Sequence, residues 1–392
     1  MAVTKLSQGV HWVGALDPNL KTFDIIMPLD HGTTYNAYLI QAGKTAVVEA
    51  VKDGFYEEFT SNIESLTELS KIDYIIVNHT EPDHTGAMVA LLEAAPEATV
   101  VSSQAGYNFL RQIVNRDFDY LIVKDGDTLD LGGKTLRFLS APLLHWPDTM
   151  FSYLVEDGIL FSCDGFGAHY YSEGRFNDEA GDYIADLKYY FDCIMAPFKP
   201  RVLDAVKKVR ELDIRMIAPS HGPILREEPM QYVDLYEKWS TPPEKGGKDL
   251  LIVFASAYGY TRAIAEAIRE GAAPLPGVRV HFVEIDDENK KLLLDKVALA
   301  DGILVGSPTI VGNVVEPVLE FLAGINPIIH KGKKASAFGS YGWSGEAVPM
   351  LIERMKTLKL SVLEPGLRVN FAPSADDLAE AKEFGRKFAE AL

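Results

Sequence analysis

The sequence predicts an α/β chain of two domains, a mixed-sheet αβ/βα sandwich followed by a doubly wound parallel sheet. Three observations predict it. The segment Ser240-Thr241-Pro242-Pro243-Glu244-Lys245-Gly246-Gly247-Lys248 pairs prolines with glycines in a polar stretch, which continues neither helix nor strand. Before it, short apolar strands follow one another quickly; after it, apolar runs and amphipathic helices alternate one for one. A chain of 392 residues is also too long for one ordinary core. The expected domains are 1–245 and 246–392.

In the first domain, strands are expected at His11–Val13, Ala37–Ile40, Ala46–Glu49, Tyr74–Asn78, Val100–Ser102 and Tyr120–Val123. More follow at Leu129–Leu131, Leu136–Leu139, Phe151–Val155, Ile159–Ser162 and Met216–Ala218, with helices near 56–69, 86–95, 182–194 and 201–212. Mixed sheets with helices outside accommodate that order. In the second domain, Leu250–Ala255 is a continuous apolar run of the kind buried on both faces of a parallel sheet. A helix is expected over about 262–270, and strands at 278–285, 302–305, 335–338 and 361–369. Ser374, with Asp377 three residues on, has capping-box spacing and opens the last helix.

Composition narrows the function. Hydrophobic residues make up 47% and charged residues 24%, as in a folded globular protein. A formal charge of −18 repels nucleic acid and anionic membrane as main partners. Two cysteines, Cys163 and Cys193, are too few for a disulfide framework or a cysteine-ligated cluster, and both are expected to be buried apolar fillers. No leader-like segment and no run of roughly 20 apolar residues is seen, so a cytoplasmic location is expected.

The strand ending at Asn78 runs into His79-Thr80-Glu81-Pro82-Asp83-His84-Thr85-Gly86, four ligand-type side chains anchored to one strand end. His145 stands beyond the strand 136–139, Asp164 ends the apolar run 159–163, and His221 follows the strand 216–218. Sheets can bring all of these to one rim. Imidazole mixed with carboxylate suits redox iron, while zinc and manganese stay open on ligand chemistry alone.

In the second domain, Ser256-Ala257-Tyr258-Gly259-Tyr260-Thr261 lies between the first strand and helix. Such a turn aims backbone N–H groups at an anion, or else is a plain turn with Thr261 as N-cap. Gly306-Ser307-Pro308-Thr309-Ile310-Val311-Gly312-Asn313 and Phe338-Gly339-Ser340-Tyr341-Gly342-Trp343-Ser344-Gly345 follow the third and fourth strands. All three loops stand at carboxyl ends of parallel strands, where open α/β sheets bind ligands, and Tyr341 and Trp343 offer flat faces to an aromatic ring. No Gly-x-Gly-x-x-Gly opens the domain, which argues against a dinucleotide.

The order His-x-Glu-x-Asp-His, then His145, Asp164 and His221, resembles the ligand pattern of flavodiiron proteins. The resemblance spans essentially the whole chain and implies a metallo-β-lactamase-like domain followed by a flavodoxin-like one. By position, it implies that His79, Glu81 and His145 hold one iron, that Asp83, His84 and His221 hold the other, and that Asp164 bridges them. It implies FMN on the second domain, its phosphate at 256–261 and its ring between later loops that include Pro308, Thr309, Ile310, Asn313, Ser340, Tyr341, Gly342, Trp343 and Gly345. His169 resembles a non-ligand pocket histidine, and Tyr189 or Tyr190 a pocket tyrosine, with Tyr190 taken as the catalytic one.

Two departures stand out. Thr22-Phe23-Asp24-Ile25 occupies the place of another pocket histidine, and Val311 stands where asparagine is usual. The activity implied is reduction of dioxygen to water, of nitric oxide to nitrous oxide, or of both, with electrons through FMN. Rubredoxin is the typical donor, a reduced deazaflavin is an alternative, and a head-to-tail homodimer or homotetramer is implied. A zinc hydrolase with an accessory flavodoxin domain is the rival reading.

Overall fold

The computed structural model describes residues 3–242, 245–285 and 290–392, leaving out the side chains of 290–292. Met1, Ala2, residues 286–289, and Pro243 and Glu244 of the proline- and glycine-rich segment lie outside the described residues. The chain divides into two compact units, the first ending at Pro242.

Among the described residues, the first unit holds two large sheets and two small two-stranded ones. One large sheet runs in the order Thr4–Ser7, Val10–Trp12, Tyr38–Gln41, Thr45–Val48, Tyr74–Ile76, Thr99–Ser102, Tyr120–Ile122. The other runs Thr128–Asp130, Thr135–Ser140, Met150–Leu154, Ile159–Cys163, Met216–Pro219. Trp12, Tyr38, Val48 and Ile76 of the first sheet share one buried cluster with Phe138, Leu154, Phe161 and Ala218 of the second, so the sheets pack face to face. Each outer face carries helices over its own cluster. The strands 135–140, 159–163 and 216–219 all run the same way, the first two being antiparallel to the strand between them and the last pair parallel. Their carboxyl ends therefore meet at one edge.

The second unit is a parallel sheet in the order Val278–Glu284, Lys248–Phe254, Gly302–Gly306, Lys334–Tyr341, with Ser361–Val362 and Leu367–Asn370 paired in turn against Lys334–Tyr341. This 2-1-3-4-5 order is that of flavodoxin-like sheets. Leu250 to Phe254 are fully buried, with one cluster on each face, which is why the run reads as continuously apolar. Ser374 and Asp377 form the expected reciprocal cap on helix Ala375–Glu390.

Three expectations are corrected. The single strand at 361–369 is two short ones, because Pro365 has no N–H to give a ladder and Gly366 turns at φ +82°. The helix expected over 182–194 is regular only from Ile184 to Tyr190, then widens into one loose turn over Phe191–Met195. That turn points Phe191 and Met195 inward, leaving Cys193 exposed, so only Cys163 is buried. Among the described residues, no helix is long and apolar enough to cross a membrane.

Candidate functional site

Four strand ends supply one cluster in the first unit. Beyond Tyr74–Ile76 the chain passes through His79 to Glu81, then enters a single helical turn, Pro82–Thr85, that carries Asp83 and His84. Pro82 suits that first turn because its missing N–H is not needed there. The Thr85 hydroxyl donates back to the Thr80 and Glu81 carbonyls at 3.2 and 3.0 Å, locking the loop. His145 follows strand Thr135–Ser140, Asp164 follows Ile159–Cys163, and His221 follows Met216–Pro219.

All four imidazoles turn Nε2 toward the Asp164 carboxylate. His145 Nε2 lies 2.9 Å from Glu81 Oε2 and 3.4 Å from Asp164 Oδ2, and His79 Nε2 lies 3.2 and 3.6 Å from the same two oxygens. His221 Nε2 lies 3.0 Å from Asp83 Oδ2 and 3.5 Å from Asp164 Oδ1. His84 Nε2 lies 3.2 Å from Asp164 Oδ1 and 3.6 Å from Asp83 Oδ1. Asp164 thus turns one oxygen to His79, Glu81 and His145, and the other to Asp83, His84 and His221. The donor atoms of His79, Glu81, His145 and Asp164 lie within 4.8 Å of one another, as do those of Asp83, His84 and His221.

These groups fit two metal ions. Among the described residues, both oxygens of Asp83, both of Asp164 and Nε2 of His84 are buried without a well-aligned hydrogen bond, an expense that inward-facing lone pairs recover by ligating a cation. Four nitrogens and three hard carboxylates, with no thiolate, make a donor set suited to iron. Burial pushes the Cys163 thiol well above its ordinary range, so it stays protonated.

The carboxylates and imidazoles of this cluster also shift one another's proton affinities. Burial opposes a charge on His145, but Asp164 and Glu81 outweigh it and push its pKa up to about 10. His84 is raised well above its ordinary value, Asp83 and Asp164 overcoming the cost of burial. Asp164 is held well below the carboxylate range, where His84 overcomes the same cost.

Around this cluster the remaining pocket residues separate. His169 is buried, with Nδ1 2.9 Å from Thr33 Oγ1 and its ring 4.8 Å from that of His221 and 4.9 Å from that of Tyr190. Burial first, then His221, push its pKa well down. Tyr190 is buried, whereas Tyr189 is 40% exposed, so only the former faces the pocket. Phe23 stacks at 4.0 Å on His169 at the start of a hairpin turn. Asp24, next in that turn, has its carboxyl pushed up to about 6 by burial and by Glu81 and Asp83.

The second unit offers a cleft of about 470 Å³ at the carboxyl edge of its sheet. Ala257, Tyr258 and Tyr260 line it from the first loop, Pro308, Thr309 and Ile310 from the second, and Ser340, Tyr341, Gly342 and Trp343 from the third. Ser256 lies behind the lining, its Oγ accepting the N–H groups of Gly259 at 3.1 Å and Arg262 at 3.3 Å. Gly259 caps helix Tyr260–Ala272 at φ +83°, with open space where a Cβ would stand. Thr261 is not the cap: it is the second residue of the helix, buried, with its Oγ1 2.8 Å from Ser340 Oγ.

Asn313 does not line the cleft, because its Oδ1 accepts the Val314 N–H at 2.8 Å, and Gly345 stands behind Tyr341. Val311 and Gly312 of the second loop line the cleft as well, and two residues outside the expected set join them, Glu346 and Phe371. Phe371 follows the fifth strand, so strand order alone could have placed its loop at this edge. Val311 sits at φ +51° and is 88% exposed, presenting backbone rather than a polar side chain. Tyr258 and Trp343 are each 86% exposed, an apolar surface open to a flat ring.

Fold and site together define a metalloflavoprotein, and sequence comparison narrows this. The family model described as "ODP family beta lactamase" matches residues 33–222, and the flavodoxin model matches 252–385. The flavo-diiron protein FprA2 of Clostridium acetobutylicum is 40% identical, covering 100% of both chains. A nitric oxide reductase of Moorella thermoacetica is 37% identical over 98% of this chain and 97% of its own. The rubredoxin oxygen:oxidoreductase structure from Desulfovibrio gigas superimposes with a TM-score of 0.71 at 28% identity, over 100% of this chain and 98% of that one.

The chain belongs to the flavodiiron protein family. It is an oxidoreductase whose cofactors are FMN on the flavodoxin unit and a diiron centre on the β-lactamase-like unit.

Proposed function

We propose that the chain reduces dioxygen to water or nitric oxide to nitrous oxide, with His79, Glu81 and His145 holding one iron, Asp83, His84 and His221 the other, and Asp164 bridging. The observation that carries this is the split of Asp164, whose Oδ2 faces the first set and Oδ1 the second. When bound, the irons supply open positions and redox equivalents for a small gas, recharged through the flavin.

The protein's own contribution is positioning and proton control. Phe23 against His169 and His221 keeps one wall of the pocket apolar and excludes water. Tyr190 Oη and His169 Nε2 are buried and have no hydrogen-bond partner among the described residues. They are the groups we assign to hold or deliver a proton beside Asp83 and Asp164. His169 does so as a neutral imidazole, since burial and His221 disfavour its cation. Asp24, in the stretch 22–25 that the family resemblance sets against a pocket histidine, is a third proton-bearing group beside Glu81. On the flavodoxin unit, the N–H groups at 256–261 receive the phosphate and the cleft between Tyr258 and Trp343 receives the ring.

Electrons come from an external carrier, a rubredoxin by analogy with the Desulfovibrio protein's name, with a reduced deazaflavin as the alternative. We place the enzyme in the cytoplasm, as a head-to-tail homodimer or homotetramer over domains 1–245 and 246–392. The test is stopped-flow reoxidation of the fully reduced, metal-analysed protein by each gas, with products identified. Rapid reoxidation yielding water or nitrous oxide supports the proposal; zinc in place of iron, with neither gas consumed, contradicts it.

A further inference from the structure

Behind the inward-facing ring of ligand atoms lie two buried carboxylates, Glu49 and Asp148, 1% and 2% exposed. Asp148 Oδ2 accepts the Thr80 N–H and hydroxyl, each at 2.8 Å, and stands 3.2 Å from His79 Nδ1. Glu49 Oε1 accepts the Asn78 N–H at 3.0 Å, and its Oε2 stands 3.4 Å from His84 Nδ1. One carboxylate therefore grips the backbone just before His79 and the other just after it. Each also faces the outer nitrogen of a histidine whose Nε2 points to the metal site. His221 is served differently: its Nδ1 meets the Thr34 carbonyl, a neutral acceptor, at 2.6 Å. Glu49 keeps its place at φ +63°, a left-handed conformation uncommon for glutamate, which persists only where surroundings over-determine it. Among the described residues, Asp148 Oδ1 has no hydrogen-bond donor and Glu49 Oε2 meets the His84 ring without a well-aligned hydrogen bond, so the backbone contacts alone leave these two buried carboxylates undercompensated.

On the reading of the site proposed above, we infer that Glu49 and Asp148 are positioning residues that fix His84 and His79 as Nδ1–H tautomers and counter-charge the two irons. The charge count shows the direction. Glu81, Asp83 and Asp164 carry three negative charges against four positive on two ferrous ions, leaving the inner site net positive. The outer pair reverses that sign, and two-electron oxidation makes it positive again. Nearby buried anions therefore favour the oxidised pair and strengthen the imidazoles as donors.

The test compares full-length E49Q, D148N and wild type, each loaded with iron and flavin. Both substitutions keep volume and a hydrogen-bond acceptor while removing the charge. Circular dichroism and flavin content report folding, chelator competition reports iron affinity, and a redox titration followed by electron paramagnetic resonance reports the midpoints of the iron pair. The expected result is iron affinity lowered by about 10- to 100-fold in each variant, with midpoints shifted upward and flavin content unchanged. A merely structural role would leave the midpoints of the folded variant where they are. Wild-type affinity and midpoints in both variants overturn the inference while leaving the diiron reading intact; wild type that holds no iron overturns both. Because the variants address different histidines, either decides the matter if the other fails to fold.

Discussion

At the metal centre the chemistry resides in seven mostly buried side chains, whereas in the flavin cleft it resides in backbone and in aromatic rings left open to solvent. Asp83, His84, Asp164 and His221 are all under 9% exposed, while Tyr258, Val311 and Trp343 are each above 80%. The difference follows from what is being held. A compact cation needs several charged or lone-pair donors at one point, and such donors survive burial only when they are paired. A flat ring with one phosphate needs surface and N–H groups, which many side chains can frame. One site should therefore fail abruptly on substitution and the other gradually.

The largest expected effect is at Asp164. Asp164→Ala should cost iron affinity more than the roughly 100-fold upper range seen for outer partners, at both irons together, with flavin content unchanged; metal analysis and the flavin absorbance check this in one sample. Loss of a single iron would show that the carboxylate does not serve both.

Acidification comes next and should act on the metal centre. In the metal-free protein His79 and His84 are raised, and His145 is raised to about 10, because carboxylates outweigh burial. Protons are thus bound below those values, and iron must displace them. Affinity should rise with pH up to about 10 and fall as pH drops, with protons released on binding. Chelator stripping at pH 6 should be faster than at pH 8, checked by the rate of iron loss; equal rates would remove the imidazole competition.

In the flavin cleft, Gly259→Val forces a β-branched residue into φ +83°, at about 1–2 kcal/mol. Flavin binding should weaken about tenfold, measured by fluorescence titration of the flavin-free protein. Trp343→Ala removes one exposed stacking face, worth about 0.5–1.5 kcal/mol, so a loss of a few-fold is expected by the same titration. A total loss from either would mean the cleft is as side-chain-dependent as the metal centre.

The two regions were also unequally legible. The metal residues could be read because their identities are chemically exclusive and each stands just past an apolar strand, so the structure brings all seven together. Their outer partners could not. Glu49 ends a different strand and reaches His84 only through the sheet, and Asp148, three residues beyond His145, turns to His79 instead. In the cleft, loops were placed by the alternation of strands and helices, but which residues face inward depended on hydrogen bonds invisible in sequence. Asn313 is turned away by the Val314 N–H, while Phe371 lines the cleft from the loop after Leu367–Asn370. Tyr189 and Tyr190 are indistinguishable by type, and helix phase alone sends one to solvent and the other to the pocket.

The most direct measurement is anomalous X-ray diffraction across the iron absorption edge on crystals of the protein as isolated. Two iron peaks per chain are expected, one on each side of the Asp164 carboxylate, the first against His79, Glu81 and His145 and the second against Asp83, His84 and His221. A single peak, or signal only at the zinc edge, would contradict that placement.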